Sequence, residues 1–236
     1  MIYRSIFFSD LHLRTRAAQP DRLTNLLDDN PSDVTFCIGD YMDMWIPDDE
    51  AHVDGKAYED LEACLEDRHA VRLRGNHDPL KRLPPFMVYT LADGRDALVI
   101  HGDAFDAELR AHKAMAHLGA RVVNFLARFN RSMRLFGRLL NLGRHWSFST
   151  WLMNLPDTSA AIAQFNTAAA RAARKHGCQV VICGHTHEPG WDVRGEIEIW
   201  NCGDWMGNCT AVAETQDGKL HILKGLTHAI AITASL

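Results

Sequence analysis

The chain is expected to fold as an α/β protein with two sheets, and three features of the sequence say so. First, Val34 to Ile38 is a short apolar run that stops at Gly39 and is followed by the carboxylates Asp40 and Asp43, the signature of a buried strand with polar groups at its C-terminal edge. Second, the same design recurs along the chain, with apolar runs giving way to Ser9-Asp10-Leu11-His12, Gly75-Asn76-His77-Asp78, His101-Gly102-Asp103 and Gly184-His185-Thr186-His187. Third, helical periodicity alternates with these runs in the first half of the chain, as parallel strands require.

The elements follow in order. Ile2 to Phe8 is a first strand. Residues two apart on extended backbone point the same way, so Asp10 and His12 can face one point beyond its end. Pro20 to Asp29 carries Leu23, Leu26 and Leu27 at helical spacing and returns the chain to the strand before Asp40, a β-α-β opening. Trp45 to Glu50 reads as a solvated acidic loop. A helix over about Lys56 to Glu66, with Tyr58, Leu61 and Leu65 on one face, precedes the short strand Val71 to Arg74. Ala97 to Ile100 and Val180 to Cys183 are the fourth and fifth strands of the type that ends in polar residues.

Between them the chain changes character. From Ala107 to about Leu142 it is helical in composition and basic, with Arg110, Lys113, Arg121, Arg128, Arg131, Arg134 and Arg138 set among apolar residues, and residues 104–157 are read as a helical insertion within one domain spanning 1–236. A further helix, capped by Asp157 or Ser159 and stopped by Gly177, carries Ile162, Phe165 and Ala169 on one face. Gly190 to Val193, Ile197 to Trp200, Thr210 to Thr215 and Leu220 to Lys224 alternate with turn signals and read as antiparallel strands completing the second sheet.

Composition narrows the function. The net charge of −5 argues against a general nucleic-acid-binding surface, and 13 His invite a metal hypothesis. The six cysteines form no Cys-x-x-Cys pair and read as reduced core residues. No run approaches the roughly 18 apolar residues of a membrane span, and Met1 to Phe8 is short for a signal-peptide core, so the expectation is a cytoplasmic protein, at most peripheral to the inner membrane.

Taken together, Asp10-x-His12, Gly39-Asp40-x-x-Asp43, Gly75-Asn76-His77-Asp78, His101 and Gly184-His185-x-His187 resemble the five-block signature of the calcineurin-like metallophosphoesterases. The resemblance implies a four-layer αββα sandwich with two divalent metal ions at the strand ends. Asp10, His12 and His187 would hold the first ion, Asn76, His101 and His185 the second, and Asp40 would bridge them. It also implies that His77 acts as a leaving-group acid or charge stabiliser, with Asp43 fixing its tautomer. Such donors suit Mn²⁺, the expected ion, and also Fe or Zn²⁺. A bridging carboxylate holds two ions about 3.5–4 Å apart, close enough to share an attacking hydroxide. Asp78 reads as a structural turn residue, and Gly39, Gly75 and Gly184 as turns of close backbone approach.

Within the family, Ser9-Asp10-Leu11-His12-Leu13, Gly39-Asp40-Tyr41-Met42-Asp43-Met44-Trp45, His101 to Asp106 and Asn201-Cys202-Gly203-Asp204-Trp205 are similar to the UDP-2,3-diacylglucosamine pyrophosphatases of lipid A synthesis. The best-known branch carries Arg where this chain has His77, so the likeness is to a related branch. The basic, apolar insertion reads either as a lid that meets acyl chains and anionic lipid or as a helical hairpin with a solvated basic face. Three functions stay open: hydrolysis of that nucleotide-linked lipid to UMP and 2,3-diacylglucosamine 1-phosphate, hydrolysis of a soluble nucleotide or phosphoprotein, and a non-catalytic membrane-associated binding module.

Overall fold

Alternation along β1 (Tyr3–Phe8) shows how the centre of the protein is built. Ile6 and Phe8 join one core cluster while Phe7 joins another, so the strand is buried on both faces. β2 (Ser32–Cys37) does the same with Phe36 and Cys37, and the Phe7 and Phe36 rings stack at 4.6 Å. The computed structural model describes residues 2–52, 55–78, 82–107 and 158–225. The chain divides into two compact units, Met1–Ala104 with Ala169–Leu236, and Phe105–Ala168.

The first unit holds two five-stranded mixed sheets. The remaining strands are β3 (Val71–Arg72), β4 (Phe86–Thr90), β5 (Asp96–Ile100), β6 (Val180–Cys183), β7 (Gly190–Arg194), β8 (Ile197–Asn201), β9 (Thr210–Glu214) and β10 (Leu220–Lys224). Their orders are β10-β9-β1-β2-β3 and β4-β5-β6-β8-β7. β1, β2 and β3 are mutually parallel, as are β5, β6 and β8, so the C-terminal ends of β1 and β2 lie together, as do those of β5 and β6. Phe7, Phe36 and Ile38 meet Ala97, Val99, Val180 and Ile182 in one cluster, which is the core between the sheets.

Helices cover the outer faces. α1 (Pro20–Asp29) starts with proline, whose missing N–H costs nothing in a first turn, and buries Leu23, Leu26 and Leu27. α2 (Gly55–Asp67) buries Ala57, Leu61 and Leu65, and both helices share the cluster of Ile6 and Phe8. α3 (Thr158–His176) reaches the second sheet through its last turns, where His176 lies against Phe86 and Arg174 Nη2 donates to the Arg194 carbonyl. The layer order in this unit is therefore α-β-β-α.

The second unit is described only at its ends, where the Phe105 and Phe165 rings meet edge to face at 5.3 Å. The basic run from Arg110 to Arg138, the Trp146 to Met153 stretch and the Asp157 cap all lie outside the described residues. No helix among the described residues is long and apolar enough to cross a membrane.

Two expectations need correction. β9 and β10 do not complete the second sheet; β9 pairs antiparallel with β1 and joins the first. The reason is packing, since Ala211 and Ala213 enter one core cluster and Val212 the other, which makes β9 an interior strand. In the second sheet β8 runs parallel to β6, and β4 is an additional edge strand following Pro84 and Pro85, with side chains alternating between exposed and half-buried.

Candidate metal centre

The loops after β1, β2, β3, β5 and β6 carry the polar residues singled out in the sequence. Asp10, His12, Asp40 and His101 are buried, while Asn76, His185 and His187 are half-buried. Asp10 (φ 55°), His12 (47°), Asp40 (52°), His185 (69°) and His187 (60°) all adopt left-handed backbone, which residues with a Cβ enter only at a cost of about 1–3 kcal/mol each. Five such positions in one cluster mean that tertiary structure holds the backbone there to aim these side chains.

Hydrogen bonds lock the loops together. His12 N–H donates to the Asp40 carbonyl at 3.0 Å and Asp10 N–H to the Gly39 carbonyl at 3.1 Å. The His185 N–H donates to Asp10 Oδ2 at 2.8 Å, and the His77 N–H to Asp40 Oδ1 at 2.8 Å. Approach is so close that a Cβ on Gly75 would sit 2.1 Å from Asp40 Oδ1, and one on Gly184 2.3 Å from Asp10 Oδ2. Asp78 accepts the N–H groups of Asp40, Tyr41, Met42 and Gly75 at 2.9–3.0 Å, so its carboxylate is the anchor of the Asp40 loop.

Three groups of ligand atoms gather among the described residues; His12, Asp43 and His77 form one, and the other two hold the expected metal ligands. Asp10, His12 and His187 bring theirs within 4.8 Å of one another, and so do Asp40, His101 and His185. Asp40 Oδ2 lies 3.1 Å from His101 Nε2 and 3.7 Å from His12 Nε2, so a single oxygen faces both groups. His187 Nε2 lies 3.2 Å from Asp10 Oδ1. Asn76, between the Gly75 and His77 amides that bond Asp78 and Asp40, has a buried Oδ1 with no hydrogen-bond partner among the described residues.

The donor set fits divalent cations. Among the described residues, Asp10 Oδ1, His12 Nε2, Asn76 Oδ1 and both ring nitrogens of His101 are buried without a hydrogen bond, a concentration of unsatisfied groups that a structure tolerates where an ion completes it. The electrostatics agree. Burial pushes the Asp10 carboxyl up, yet the charge of His101 and the close approach of the His12 and His187 rings hold it well below the usual carboxylate range. Burial opposes protonation of His12, but the Asp10 carboxylate beside it and the hydrogen bond to Asp43 raise it to about 10. His101, likewise opposed by burial, is raised to about 9 by the charge of Asp10 and its contact with Asp40. The cluster is a sink for positive charge.

Asp43 has a wider role than its sequence position suggests. Its Oδ1 lies 3.0 Å from His77 Nδ1 and accepts the Trp45 N–H at 3.0 Å, while its Oδ2 lies 3.2 Å from His12 Nδ1. An ionised carboxylate only accepts, so both imidazoles must carry their hydrogen on Nδ1, leaving each Nε2 for chemistry. Burial works against ionisation of Asp43, and the hydrogen bonds from His12 and His77 reverse the balance, keeping it a carboxylate.

Sequence reasoning missed three neighbours. Trp45, in the loop read as solvated, stacks on His77 with ring centroids 3.7 Å apart. Asp48 in the same loop pairs with Arg14. Asp204 accepts the Met206, Gly207 and Asn208 N–H groups and sets its Oδ2 3.7 Å from His187 Nδ1. Asp204 and Trp45 left a trace in the sequence, in the Asn201 to Trp205 and Gly39 to Trp45 blocks, but neither block marks a partner, since loop residues have no periodicity.

A cluster of carboxylates, imidazoles and an amide at converging strand ends defines a metal-binding hydrolytic centre. The sequence profile described as calcineurin-like phosphoesterase matches residues 3–189, so the chain belongs to that family and is a metal-dependent phosphoester hydrolase. No curated protein matches the chain. Among solved structures, a predicted phosphoesterase from Streptococcus pneumoniae is similar at 15% identity, with 93% of this chain and 92% of that one covered and a TM-score of 0.43. Vps29 from Chaetomium thermophilum shares 13% identity over 93% and 94% of the two chains, with a TM-score of 0.47. A Thermotoga maritima protein shares 19% over 94% and 97%, with a TM-score of 0.46.

Proposed function

We propose that this phosphoester hydrolase holds two divalent ions and cleaves the pyrophosphate of UDP-2,3-diacylglucosamine, giving UMP and 2,3-diacylglucosamine 1-phosphate. The observation that carries the two-ion reading is Asp40 Oδ2, which faces His12 on one side and His101 on the other. Asp10, His12 and His187 hold the first ion, Asn76, His101 and His185 the second, and Asp40 both. Mn²⁺ is the expected ion, on a donor set that also accepts Fe and Zn²⁺. Bound there, two such ions supply Lewis acidity toward phosphoryl oxygens and lower the pKa of a coordinated water.

The chain's own residues do the rest. Asp43 keeps the His77 hydrogen on Nδ1 when the ring is neutral, so His77 Nε2 is the atom that takes up a proton and delivers it to the leaving oxygen as the P–O bond breaks. Trp45 covers one face of the His77 ring and limits its rotation. The loop anchored on Asp78 keeps Asp40 in place.

The lipid nucleotide is supported by the sequence blocks shared with the diacylglucosamine pyrophosphatases and by the basic, apolar insertion at residues 104–157. A substrate panel with Mn²⁺ added tests it, comparing UDP-2,3-diacylglucosamine with bis(p-nitrophenyl) phosphate, dinucleotides and a phosphopeptide. The proposal expects the lipid nucleotide to give the highest kcat/KM, and expects polar replacement of the insertion's apolar residues to impair that substrate selectively. Preference for a soluble phosphoester sinks the substrate assignment, and two bound metals without turnover of any phosphoester sinks catalysis.

A further inference from the structure

Beside the metal centre the structure has a second feature that phosphoester cleavage at the strand ends leaves unused. A pocket of about 280 Å³ opens between the loop after His12 and the start of α1, and none of the metal-type side chains lines it. Among the described residues its walls carry Arg14, Arg16, Arg22 and His52, with Asp21 the only carboxylate, on a protein whose net charge is −5. The volume falls just under the roughly 300–1,000 Å³ of sites for drug-sized ligands, so it suits a compact anion rather than a whole nucleotide.

The arginines are placed to receive such an anion. Arg14 is 7% exposed and has φ 86°, left-handed backbone at a long side chain, with its carbonyl accepting the His52 N–H at 2.9 Å. Its guanidinium is tied to the metal centre's support, donating to the Asp43 carbonyl at 3.4 Å, and its one carboxylate partner among the described residues, Asp48, has a side chain almost wholly in solvent. Such a partner gains little from the pairing and yields to a better-placed anion. Among the described residues the Arg22 guanidinium has one hydrogen bond, to the Cys209 thiol, and no carboxylate partner, and Arg16 has neither kind of partner. α1 begins here without a side-chain cap, which leaves the positive end of its dipole toward the same region.

We propose that this pocket is a second anion site, built from Arg14, Arg16 and Arg22, that takes a phosphate group. The group comes either from the far end of a substrate with two phosphates or from free phosphate, and Asp48 occupies Arg14 in its absence. The proposal rests on the pocket and needs no particular substrate.

Isothermal titration of inorganic phosphate into the metal-loaded protein tests it. The wild type should bind a second phosphate in addition to any held at the metals. Arg16→Ala/Arg22→Ala should lose that second binding, weakened about tenfold or more, the scale of one lost charge-assisted hydrogen bond. Asp48→Ala should bind it several-fold more tightly, an effect of opposite sign that loss of folding cannot mimic. KM values identify the source. A rise of about tenfold in the KM of a pyrophosphate diester relative to that of bis(p-nitrophenyl) phosphate in the double variant assigns the pocket to the substrate's second phosphate. An unchanged ratio with lost phosphate binding assigns it to free phosphate. Identical phosphate binding in the wild type, the double variant and Asp48→Ala overturns the proposal. The titration reads the same whether or not the protein turns over any substrate.

Discussion

Replacing Asp43 with Asn exchanges one carboxylate oxygen for an amide that donates. In the native arrangement both Asp43 oxygens face an imidazole Nδ1, His77 at 3.0 Å and His12 at 3.2 Å, and both accept. Asparagine can satisfy only one of them. The other ring meets an NH₂ group and must turn, or move its hydrogen to Nε2, the atom that ligation or proton transfer needs. If His12 is the loser, metal affinity should fall about 10–100-fold, the usual consequence of removing a carboxylate behind a metal-bound imidazole, or ~1.4–2.7 kcal/mol. If His77 is the loser, turnover at saturating metal should fall by about 10²–10⁴, the contribution of a positioned general acid. The sequence suggests only the second effect, because Asp43 is there the partner of His77 alone. Mn²⁺ titration by calorimetry, followed by bis(p-nitrophenyl) phosphate hydrolysis at saturating Mn²⁺, separates the two. Wild-type affinity for both ions together with wild-type turnover in Asp43→Asn would refute the shared-carboxylate argument.

The remaining predictions follow from the same geometry. Asp40→Ala removes the one oxygen that faces both ligand groups, so metal stoichiometry after dialysis should drop below two per chain and turnover should vanish; two retained ions with full activity would rule out the bridge. Asp78→Ala strips the acceptor from four backbone N–H groups and should cost roughly 2–4 kcal/mol, with water replacing part of the loss at this half-buried site. Thermal denaturation of Asp78→Ala beside Asp78→Asn, which keeps one acceptor oxygen, should show partial rescue; equal melting temperatures for both variants and the wild type would remove the anchor from the account. Metal binding should release protons. His12 and His101, raised to about 10 and about 9 in the metal-free protein, both carry a proton at pH 7 and must give it up to ligate. In the metal-free protein the same shifts stabilise the fold fully below about pH 6.5 and cease to do so as pH rises through 9 to 10, because the folded state is the one that holds the protons. Calorimetry of Mn²⁺ binding in buffers of different ionisation enthalpy should therefore show release at pH 7 that fades above pH 10, and buffer-independent heats at pH 7 would contradict it.

Much of this protein was determined by local sequence. Apolar runs that stop at Gly and polar residues placed Asp10, Asp40, Asn76, His101 and His185 at strand ends, because a buried strand's period and its abrupt close are written in adjacent residues. α1 and α2 were legible for the same reason, with leucines repeating at helical spacing. Tertiary structure decided what depends on residues far apart in the chain. The turn signals around β9 and β10 mark a hairpin, but which sheet accepts it depends on whether Ala211, Val212 and Ala213 fit beside β1. The left-handed backbone at Asp10, His12, Asp40, His185 and His187 is likewise imposed from outside, since no local preference would hold five such positions in one site. The pairing of Asp43 with two imidazoles and the stacking of Trp45 on His77 arise only when the loops after β1, β2 and β3 are laid side by side, and the pocket around Arg14, Arg16 and Arg22 is walled only when His52, Ala57 and Tyr58 from beyond β2 meet the loop after β1. A strand announces where a carboxylate will stand, and the packing of its neighbours decides what that carboxylate holds.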